Sequence, residues 1–468
     1  MTASDCDVAV IGAGPGGYVA ALRAAQDGAR VVLVEKEELG GTCLNRGCIP
    51  TKTMMRDAEV YRDVTSGQFA VCADAPIRVD FARLMARKEQ VVHSLVEGIE
   101  HLLASRKVTV LRGTGRLLGG HQVAVTTTDG EQEFMAHAIV LASGSVPAQV
   151  PIPGVDLPGV LTSREFLAID HLPESIVVIG ASAVGVEFAS MLHTLGSRVT
   201  VLGRRSFLRD AEPQLAKRFR ALLARQGVDV QVGLEFQAIE RLDDGRLRVH
   251  YDRRGAQSAD GEVVLLATGR EPVTEGLGLQ AAGVQLAGRA IGVDAHLQTN
   301  VPGIYAIGDC IGGHMLAHVA SYEAEVAIDN ILGEPREADY RVVPNCIFTM
   351  PEIAGVGLTE EQAQEQGLNY AVARFPFMVN GRAAALGETE GQVRIIAEAE
   401  PHGKGRILGV HIMGPHASDL IAEAALAMQL EATPEDIART IHAHPTVPEA
   451  LMEAAMNCGR GAIHYEQR

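Results

Sequence analysis

The chain has 468 residues, 47% hydrophobic and 21% charged, with a formal net charge of −17 at pH 7. That length exceeds what one hydrophobic core supports and predicts two to four domains, while the acidic balance excludes a nucleic-acid backbone as partner. No run of 18 apolar residues occurs and no charged-then-apolar leader opens the chain. Cysteines scattered at positions 6, 43, 48, 72, 310, 346 and 458 make no secreted disulfide framework, so a cytoplasmic protein outside the membrane is expected.

Residues 7–11 are a short apolar run, read as a strand, ahead of Gly12-Ala13-Gly14-Pro15-Gly16-Gly17. An alanine-rich helix over 18–27 and a strand over 30–34 follow, closing on Glu35. Strand, glycine turn, helix and strand make a βαβ unit, in which parallel strands need a crossover helix. Gly12 permits the tight turn, Gly14 lets backbone approach a pyrophosphate, and Gly17 allows close helix packing. The helix amides and dipole then face the phosphates, and Glu35 suits a ribose hydroxyl. A glycine pattern alone marks only a turn; the strand context and the acid point to dinucleotide binding.

The next segment reads Gly40-Gly41-Thr42-Cys43-Leu44-Asn45-Arg46-Gly47-Cys48-Ile49-Pro50-Thr51-Lys52. Four residues between Cys43 and Cys48 form a turn of helix or a tight loop, close enough for a reducible disulfide. An inert buried pair and a zinc site are the alternatives, and zinc needs two further ligands where no second cysteine pair stands. The pair lies in a long insertion, about residues 40–105, with a helical stretch over 81–103.

The plan then repeats. Residues 175–179 read as a strand, Gly180-Ala181-Ser182-Ala183-Val184-Gly185 as the turn, 186–195 as a helix and 198–202 as the next strand. Both units end alike, in Leu141-Ala142-Ser143-Gly144-Ser145-Val146-Pro147 and Leu266-Ala267-Thr268-Gly269-Arg270-Glu271-Pro272. The second turn has Ser182 in place of the middle glycine, and its strand runs into Gly203-Arg204-Arg205 rather than an acid. An acid binds the 2′-hydroxyl of NAD(H), whereas arginines suit the 2′-phosphate of NADP(H). The sequence therefore leans slightly to NADP over NAD, with a solvated basic turn as the competing account.

Further on, residues 299–309 form a strand ending in Gly308-Asp309, with a helix from about Ala317. From about 345, strands over 392–397 and 407–412 alternate with helices over 418–430 and 449–456, an α+β module. Within it, His444-Pro445-Thr446-Val447-Pro448-Glu449 places an acid five residues after a histidine. Such an acid can orient a base and raise its basicity. Thr446 and Glu449 also match a helix capping box, and spacing alone does not single His444 out among the 16 histidines.

Taken together, these motifs resemble the class I flavoprotein disulfide reductases over about residues 5–464. Residues 40–52 resemble that family's redox motif, 299–309 its second FAD motif, and His444-Pro445-Thr446 with Glu449 its acid/base motif. Within the family the chain is most similar to the dihydrolipoamide dehydrogenases, through Phe375-Pro376-Phe377, Gly387-Glu388-Thr389 and Gly414-Pro415-His416-Ala417-Ser418. The resemblance implies roles. Cys43 is the interchange thiol, Cys48 faces the flavin, and Lys52 paired with Glu187 tunes it. Gly115, Asp309 and Ala317 match FAD contacts and Gly269 a nicotinamide-dinucleotide contact. His444 and Glu449 complete the site of a second copy, which implies a homodimer with shared active sites. No metal is expected.

The departures are Ser182 and Gly203, where the usual dehydrogenases have glycine and an acid. Arg204 and Arg205 resemble the stretch in glutathione and mercuric reductases. The glutathione-reductase arginine pair is absent, however, because Leu22 precedes Arg23, and the chain ends Asn457-Cys458-Gly459 without the vicinal cysteines of mercuric reductases.

The expected fold is α/β: two tandem Rossmann-like dinucleotide-binding domains, for FAD and NAD(P), plus a C-terminal α+β dimerisation domain. The expected boundaries are 1–146 for FAD and the disulfide, 147–273 for NAD(P), 274–344 for a central part completing the FAD site, and 345–468 for the interface. The expected activity is electron transfer between a lipoyl dithiol on a carrier protein or multienzyme complex, the Cys43–Cys48 disulfide, FAD and NAD(P). An NADPH-dependent reductase of another small disulfide and a mainly architectural subunit of a lipoyl-bearing complex are the alternatives.

Overall fold

The computed structural model describes residues 5–466; the leader-free opening read from the sequence falls partly on residues 1–4, outside the described residues. β1 (Cys6–Ile11) and β2 (Val31–Glu35) are parallel and joined by α1 (Pro15–Gln26). β2 is buried at every position, which is why it reads as an unbroken apolar run rather than an alternating one. α1 starts three residues before the predicted 18, because Pro15 fits the first helical turn and Gly17 must lie inside the helix. α2 (Gly41–Arg46), α3 (Cys48–Thr65) and α4 (Phe81–Ser105) form the insertion before β3 (Thr109–Arg112).

β4 (Thr114–Gly119), β5 (Gln122–Thr127) and the first half of β6 (Gly130–Leu141) form an antiparallel meander, while the second half of β6 lies parallel beside β1. After β7 (Ser145–Pro147), β8 (Val160–Thr162) and α5 (Ser163–Phe166), the second unit begins. It comprises β9 (Ser175–Ile179), α6 (Ala183–Leu195), β10 (Arg198–Gly203), α7 (Pro213–Gln226) and β11 (Asp229–Val232). An antiparallel sheet of β12 (Glu235–Arg241), β13 (Leu247–Asp252) and β14 (Ala256–Gly261) leads to β15 (Val263–Leu266). The main sheet runs β11-β10-β9-β15-β8, all parallel.

The two echoing segments meet in space: β16 (Arg270–Pro272) pairs antiparallel with β7, so the ends of the two units clasp each other. α8 (Leu279–Ala282), β17 (Leu286–Ala287) and β18 (Ala290–Ile291) bring the chain back to β19 (Ile304–Ala306), which joins the first sheet beside β6. α9 (Ala317–Ile331) then packs on α1. The approach is close, since a side-chain carbon on Gly16 would lie 3.1 Å from the Ala320 carbonyl oxygen.

The C-terminal part is an antiparallel sheet flanked by helices, as the sequence suggested. β20 (Asn345–Ile347), β21 (Glu352–Gly357), α10 (Glu360–Glu365), β22 (Tyr370–Pro376), α11 (Gly381–Leu386), β23 (Gln392–Glu398) and β24 (Ile407–Gly414) come first. α12 (Ala417–Gln429), α13 (Pro434–Arg439) and α14 (Glu449–Asn457) follow, and the strand order is β20-β21-β24-β23-β22. The molecule is α/β, with two tandem dinucleotide-binding units and an α+β module. No helix among the described residues is long and apolar enough to cross a membrane.

Candidate active site

Cys43 in α2 and Cys48 at the start of α3 are joined by a disulfide, with Cα atoms 4.7 Å apart. Both sulfurs are thus committed to each other, and no cluster of metal-ligating side chains occurs among the described residues. The Asn45 amide donates to the Leu39 and Gly41 carbonyls at 2.9 Å, and Thr51 Oγ1 donates to the Gly47 carbonyl at 2.7 Å. Arg46 pairs with Glu37 at 2.9 Å and also with Glu38. These contacts fix the short turn between the two helices.

That turn sits on the first glycine motif. A side-chain carbon on Gly41 would lie 2.7 Å from Gly14 Cα. One on Gly12, whose φ is +104°, would strike the Ala142 carbonyl oxygen at 2.3 Å, and one on Gly17 would strike the Gly12 carbonyl oxygen at 1.8 Å. At Gly14, by contrast, no atom lies within 4 Å of that position. The turn is therefore packed tight on its sheet side and open at Gly14, a cradle that fits a dinucleotide phosphate at the start of α1. Glu35 accepts the Ala13 amide at 2.6 Å and the Glu37 amide at 2.8 Å, which fixes its buried carboxylate at the end of β2.

Lys52, one turn after Cys48, lies 2.8 Å from Glu187 Oε2 and 4.4 Å from the Phe348 ring centre. Glu187 is buried on α6 of the second unit and accepts the Phe348 amide through Oε1 at 2.9 Å. Asp309 accepts a hydrogen bond from Ser145 Oγ. Arg270 donates to that hydroxyl and to the Ser145 carbonyl, both at 2.7 Å, and lies 3.7 Å from the Asp309 carboxylate. Burial draws the Arg270 pKa down, against the pull of Asp309. Glu323 on α9 accepts the neighbouring Gly308 amide at 2.6 Å and the Tyr340 hydroxyl at 2.8 Å. Gly115 lies flat against β1 and β2, 3.1 Å from Val34 were it to carry a carbon, and Ala317 opens α9, whose first turn has no side-chain cap.

Sequence reasoning had not picked out Ser145, Arg270 or Glu323 as contributors. Ser145 and Arg270 stood within the echoing segments, and their pairing is the signal that was present; Glu323 carried none, being one acid in a helix.

In the second unit, Gly180 and Gly185 repeat the tight packing: carbons there would meet the Ala267 and Gly180 carbonyl oxygens at 2.1 Å. Ser182 is the cap residue of α6, and its hydroxyl makes no hydrogen bond among the described residues. α6 therefore starts at Ala183, ahead of the predicted 186. Arg204 and Arg205 are exposed and have no ion-pair or hydrogen-bond partner among the described residues. Gly269 has a φ of +108° and open space where a side chain would stand. Val232 and Gly233, at the end of β11, border an open cleft of about 700 Å³ that Arg253 and Arg254 also line.

His444 and Glu449 lie in the C-terminal part. His444 Nδ1 is 2.8 Å from Glu449 Oε1, and the imidazole side chain is 76% exposed. Within the chain, no described hydrogen bond or ion pair links these two residues to the cysteine segment. The capping-box reading fails by half. Glu449 accepts the Thr446 amide at 2.8 Å, but the Thr446 hydroxyl donates back to the Ala443 carbonyl instead of capping the helix. Against burial, which pushes its pKa up, the Thr446 amide and the His444 ring hold Glu449 below the usual carboxylate range. His442, two residues earlier, bridges the Thr440 carbonyl and Glu423 of α12, each at 2.9 Å.

Residues 6–324 match the family model for pyridine nucleotide-disulphide oxidoreductases, and 343–455 match that for their dimerisation domain. The chain is 40% identical to the dihydrolipoyl dehydrogenase of Bacillus subtilis over 482 aligned residues, covering 99% of this chain and 100% of that protein. It is also 40% identical to the leghemoglobin reductase of Glycine max, covering 96% of this chain and 87% of that protein. Among solved structures, LpdA from Mycobacterium tuberculosis aligns with a TM-score of 0.88 at 28% identity, over 97% of this chain and 99% of that one. The HOCl-induced flavoprotein disulfide reductase RclA from Escherichia coli, as its Cu(II) complex, gives 0.87 at 29%, over 96% and 99%.

Proposed function

Because the chain belongs to the pyridine nucleotide-disulphide oxidoreductase family, we propose that it oxidises a dihydrolipoyl-type dithiol at Cys43–Cys48, using FAD and a nicotinamide dinucleotide. The observation that carries this is the disulfide seated on the glycine cradle, with Lys52 and Glu187 beside it.

The chemistry follows from the residues. A substrate thiol gives its proton to the free ring nitrogen of His444, whose other nitrogen Glu449 orients. The resulting thiolate attacks Cys43 Sγ, the Cys43–Cys48 bond breaks, and Cys48 leaves as a thiolate. The second substrate thiol passes its proton to Cys43 as it displaces that sulfur from the mixed disulfide. The substrate then departs as a disulfide, and the enzyme holds Cys43 as a thiol and Cys48 as a thiolate, with the first proton on His444. Gly12, Gly14, Gly17, Glu35, Lys52, Gly115, Asp309 and Ala317 would hold FAD, which when bound would supply the relay of that electron pair to the nicotinamide dinucleotide. Gly180, Ser182, Gly185, Gly269, Arg204 and Arg205 form the nicotinamide-dinucleotide site.

The base comes from a second copy of the chain. The described contacts within one chain leave His444 and Glu449 apart from the cysteines, and Leu426, Leu430 and the 97%-exposed Ile441 are exposed apolar side chains on the same module. The same reading divides the chain at 1–146, 147–273, 274–344 and 345–468. Arg204 and Arg205 favour NADP(H), and with it a second reading, NADPH-driven reduction of a small disulfide. The deciding experiment is a side-by-side titration of NAD⁺ and NADP⁺ with dihydrolipoamide, repeated in reverse with lipoamide and glutathione disulfide. An FAD-loaded enzyme that neither oxidises dithiols nor reduces disulfides would refute the assignment.

A further inference from the structure

We infer that Val232, at the end of β11, is a specificity-determining residue that keeps an acidic side chain from occupying position 203. The inference rests on the reading of Arg204 and Arg205 as a 2′-phosphate site.

The two units correspond residue by residue. The Gly12 amide donates to the Val34 carbonyl, and the Gly180 amide to the Leu202 carbonyl, both at 2.8 Å. Gly203 therefore stands where Glu35 stands in the first unit, and Ala181 where Ala13 stands. The sheet registers extend the match: Glu35 pairs with Arg112, and Gly203 pairs with Val232.

In the first unit an acid fits. Ala13 tolerates it, donating its amide to the Glu35 carboxylate at 2.6 Å. Arg112 swings clear, its guanidinium reaching the Glu37 carbonyl at 3.0 Å and Glu100 at 2.8 Å. In the second unit a side-chain carbon on Gly203 would lie 2.8 Å from Ala181 Cβ and 2.9 Å from Val232 Cγ1. Gly203 is not among the glycines with positive φ, so its backbone accepts a side chain and only the neighbours refuse it. Both contacts crowd position 203, Ala181 slightly more closely, but an alanine also stands beside Glu35, so the neighbour whose identity differs between the units is Val232, in place of Arg112. Its branched side chain is stiff about χ1 and packs on the second unit's core, so it does not turn aside as Arg112 does.

The absence of an acid is thus built into the packing. A carboxylate at 203 would bind a ribose 2′-hydroxyl and repel a 2′-phosphate. With it shut out, the charges next to the strand end are Arg204 and Arg205, which have no partner among the described residues.

The test is a cycle of Gly203→Ala, Gly203→Glu and Val232→Ala, singly and combined, read by melting temperature and by kcat/KM for NAD⁺ and NADP⁺. Gly203→Ala should lower the melting temperature beside Val232 and lose part of that penalty in the Val232→Ala background, where the Ala181 contact alone remains. Gly203→Glu alone should gain little with NAD⁺, whereas Gly203→Glu with Val232→Ala should gain about tenfold, one charge-assisted hydrogen bond's worth. An equal Gly203→Ala penalty in both backgrounds, or an equal NAD⁺ gain without the valine change, overturns the inference. A wild-type enzyme that prefers NAD⁺ overturns the 2′-phosphate reading and the specificity role built on it. The melting cycle would then still tell whether Val232 excludes a side chain.

Discussion

Lys52 Nζ lies 2.8 Å from Glu187 Oε2, so one ion pair ties the helix that starts at Cys48 to the helix that follows the second glycine turn. The Phe348 amide donates to the other oxygen of the same carboxylate at 2.9 Å, bringing a third segment to that point. Glu187→Gln keeps an acceptor for Phe348 but removes the charge opposite Lys52, and should cost about 1–3 kcal/mol. Glu187→Ala should cost more, because it leaves the amide without its acceptor. Denaturant titration at neutral pH measures both, and a Gln variant as stable as wild type would show that the ion pair carries no weight.

The disulfide makes a sharper prediction. Cys48→Ser removes the leaving group that the substrate thiolate displaces, so turnover should fall on the order of 10³-fold or more. The long-wavelength absorbance of the two-electron-reduced enzyme should vanish with it, since the thiolate next to the flavin is gone. An unchanged reduced spectrum would assign that place to another group.

Glu449 holds the Nδ1 side of His444 and so fixes which ring nitrogen is free to take a proton. His444→Gln should lower kcat by about 10²–10⁴-fold, and Glu449→Gln by less, since the base itself remains. The carboxyl pKa of Glu449 is depressed in the folded state from its ordinary 4.5. Its contribution to stability is therefore full above that ordinary value and is lost as pH falls through the lower folded one. Relative to wild type, Glu449→Gln should thus be most destabilised near neutrality and approach it in acid. A difference that does not change with pH would place the carboxylate outside the linkage.

His411 loses stability in the same direction, as pH falls, but through burial of a neutral imidazole rather than pairing of a carboxylate. It is buried on β24 with Nε2 2.9 Å from the Leu358 carbonyl oxygen, in room left by Gly355. Burial first, and then the nearby Arg394, push its pKa down to about 4, against the Leu358 carbonyl. The unfolded chain therefore binds a proton that the folded one refuses, and stability declines as pH falls from the ordinary 6.5 towards 4. The loss at the acid end is about 3 kcal/mol. Urea titrations between these pH values should show the decline in wild type and a flatter profile in His411→Gln; parallel profiles would refute it.

Much of this was legible because glycines and cysteines mark backbone geometry directly. Gly12, Gly17, Gly180 and Gly185 are glycines because a carbon would strike a carbonyl, and the pattern of such positions is visible in a sequence. The Asp309 environment was not. It depends on Ser145 and Arg270, which are 125 residues apart and meet only because β7 and β16 pair. Helix starts were misplaced by three residues for a related reason: the last glycine of each turn already lies inside its helix. The role of Val232 was equally hidden, since an absent acid is seen in sequence but the valine that excludes it is known only from the register of β10 on β11.

Arg204 and Arg205 are exposed without a partner among the described residues, in a chain that carries 58 acidic residues against 41 basic ones. Surface arginines in so acidic a protein readily find a carboxylate, as Arg209 does with Asp210 at 3.4 Å. Two adjacent guanidiniums left free at the end of β10 are therefore poised for an external anion. Arg204→Ala with Arg205→Ala should raise KM for NADP⁺ about tenfold or more, the loss of at least one charge-assisted hydrogen bond, and leave NAD⁺ within about twofold. The NADP⁺ effect should shrink as ionic strength rises, because exposed charges are screened over about 10 Å at 0.1 M salt. If both dinucleotides weaken equally, the arginines bind the shared pyrophosphate or nothing at all, and the 2′-phosphate assignment falls.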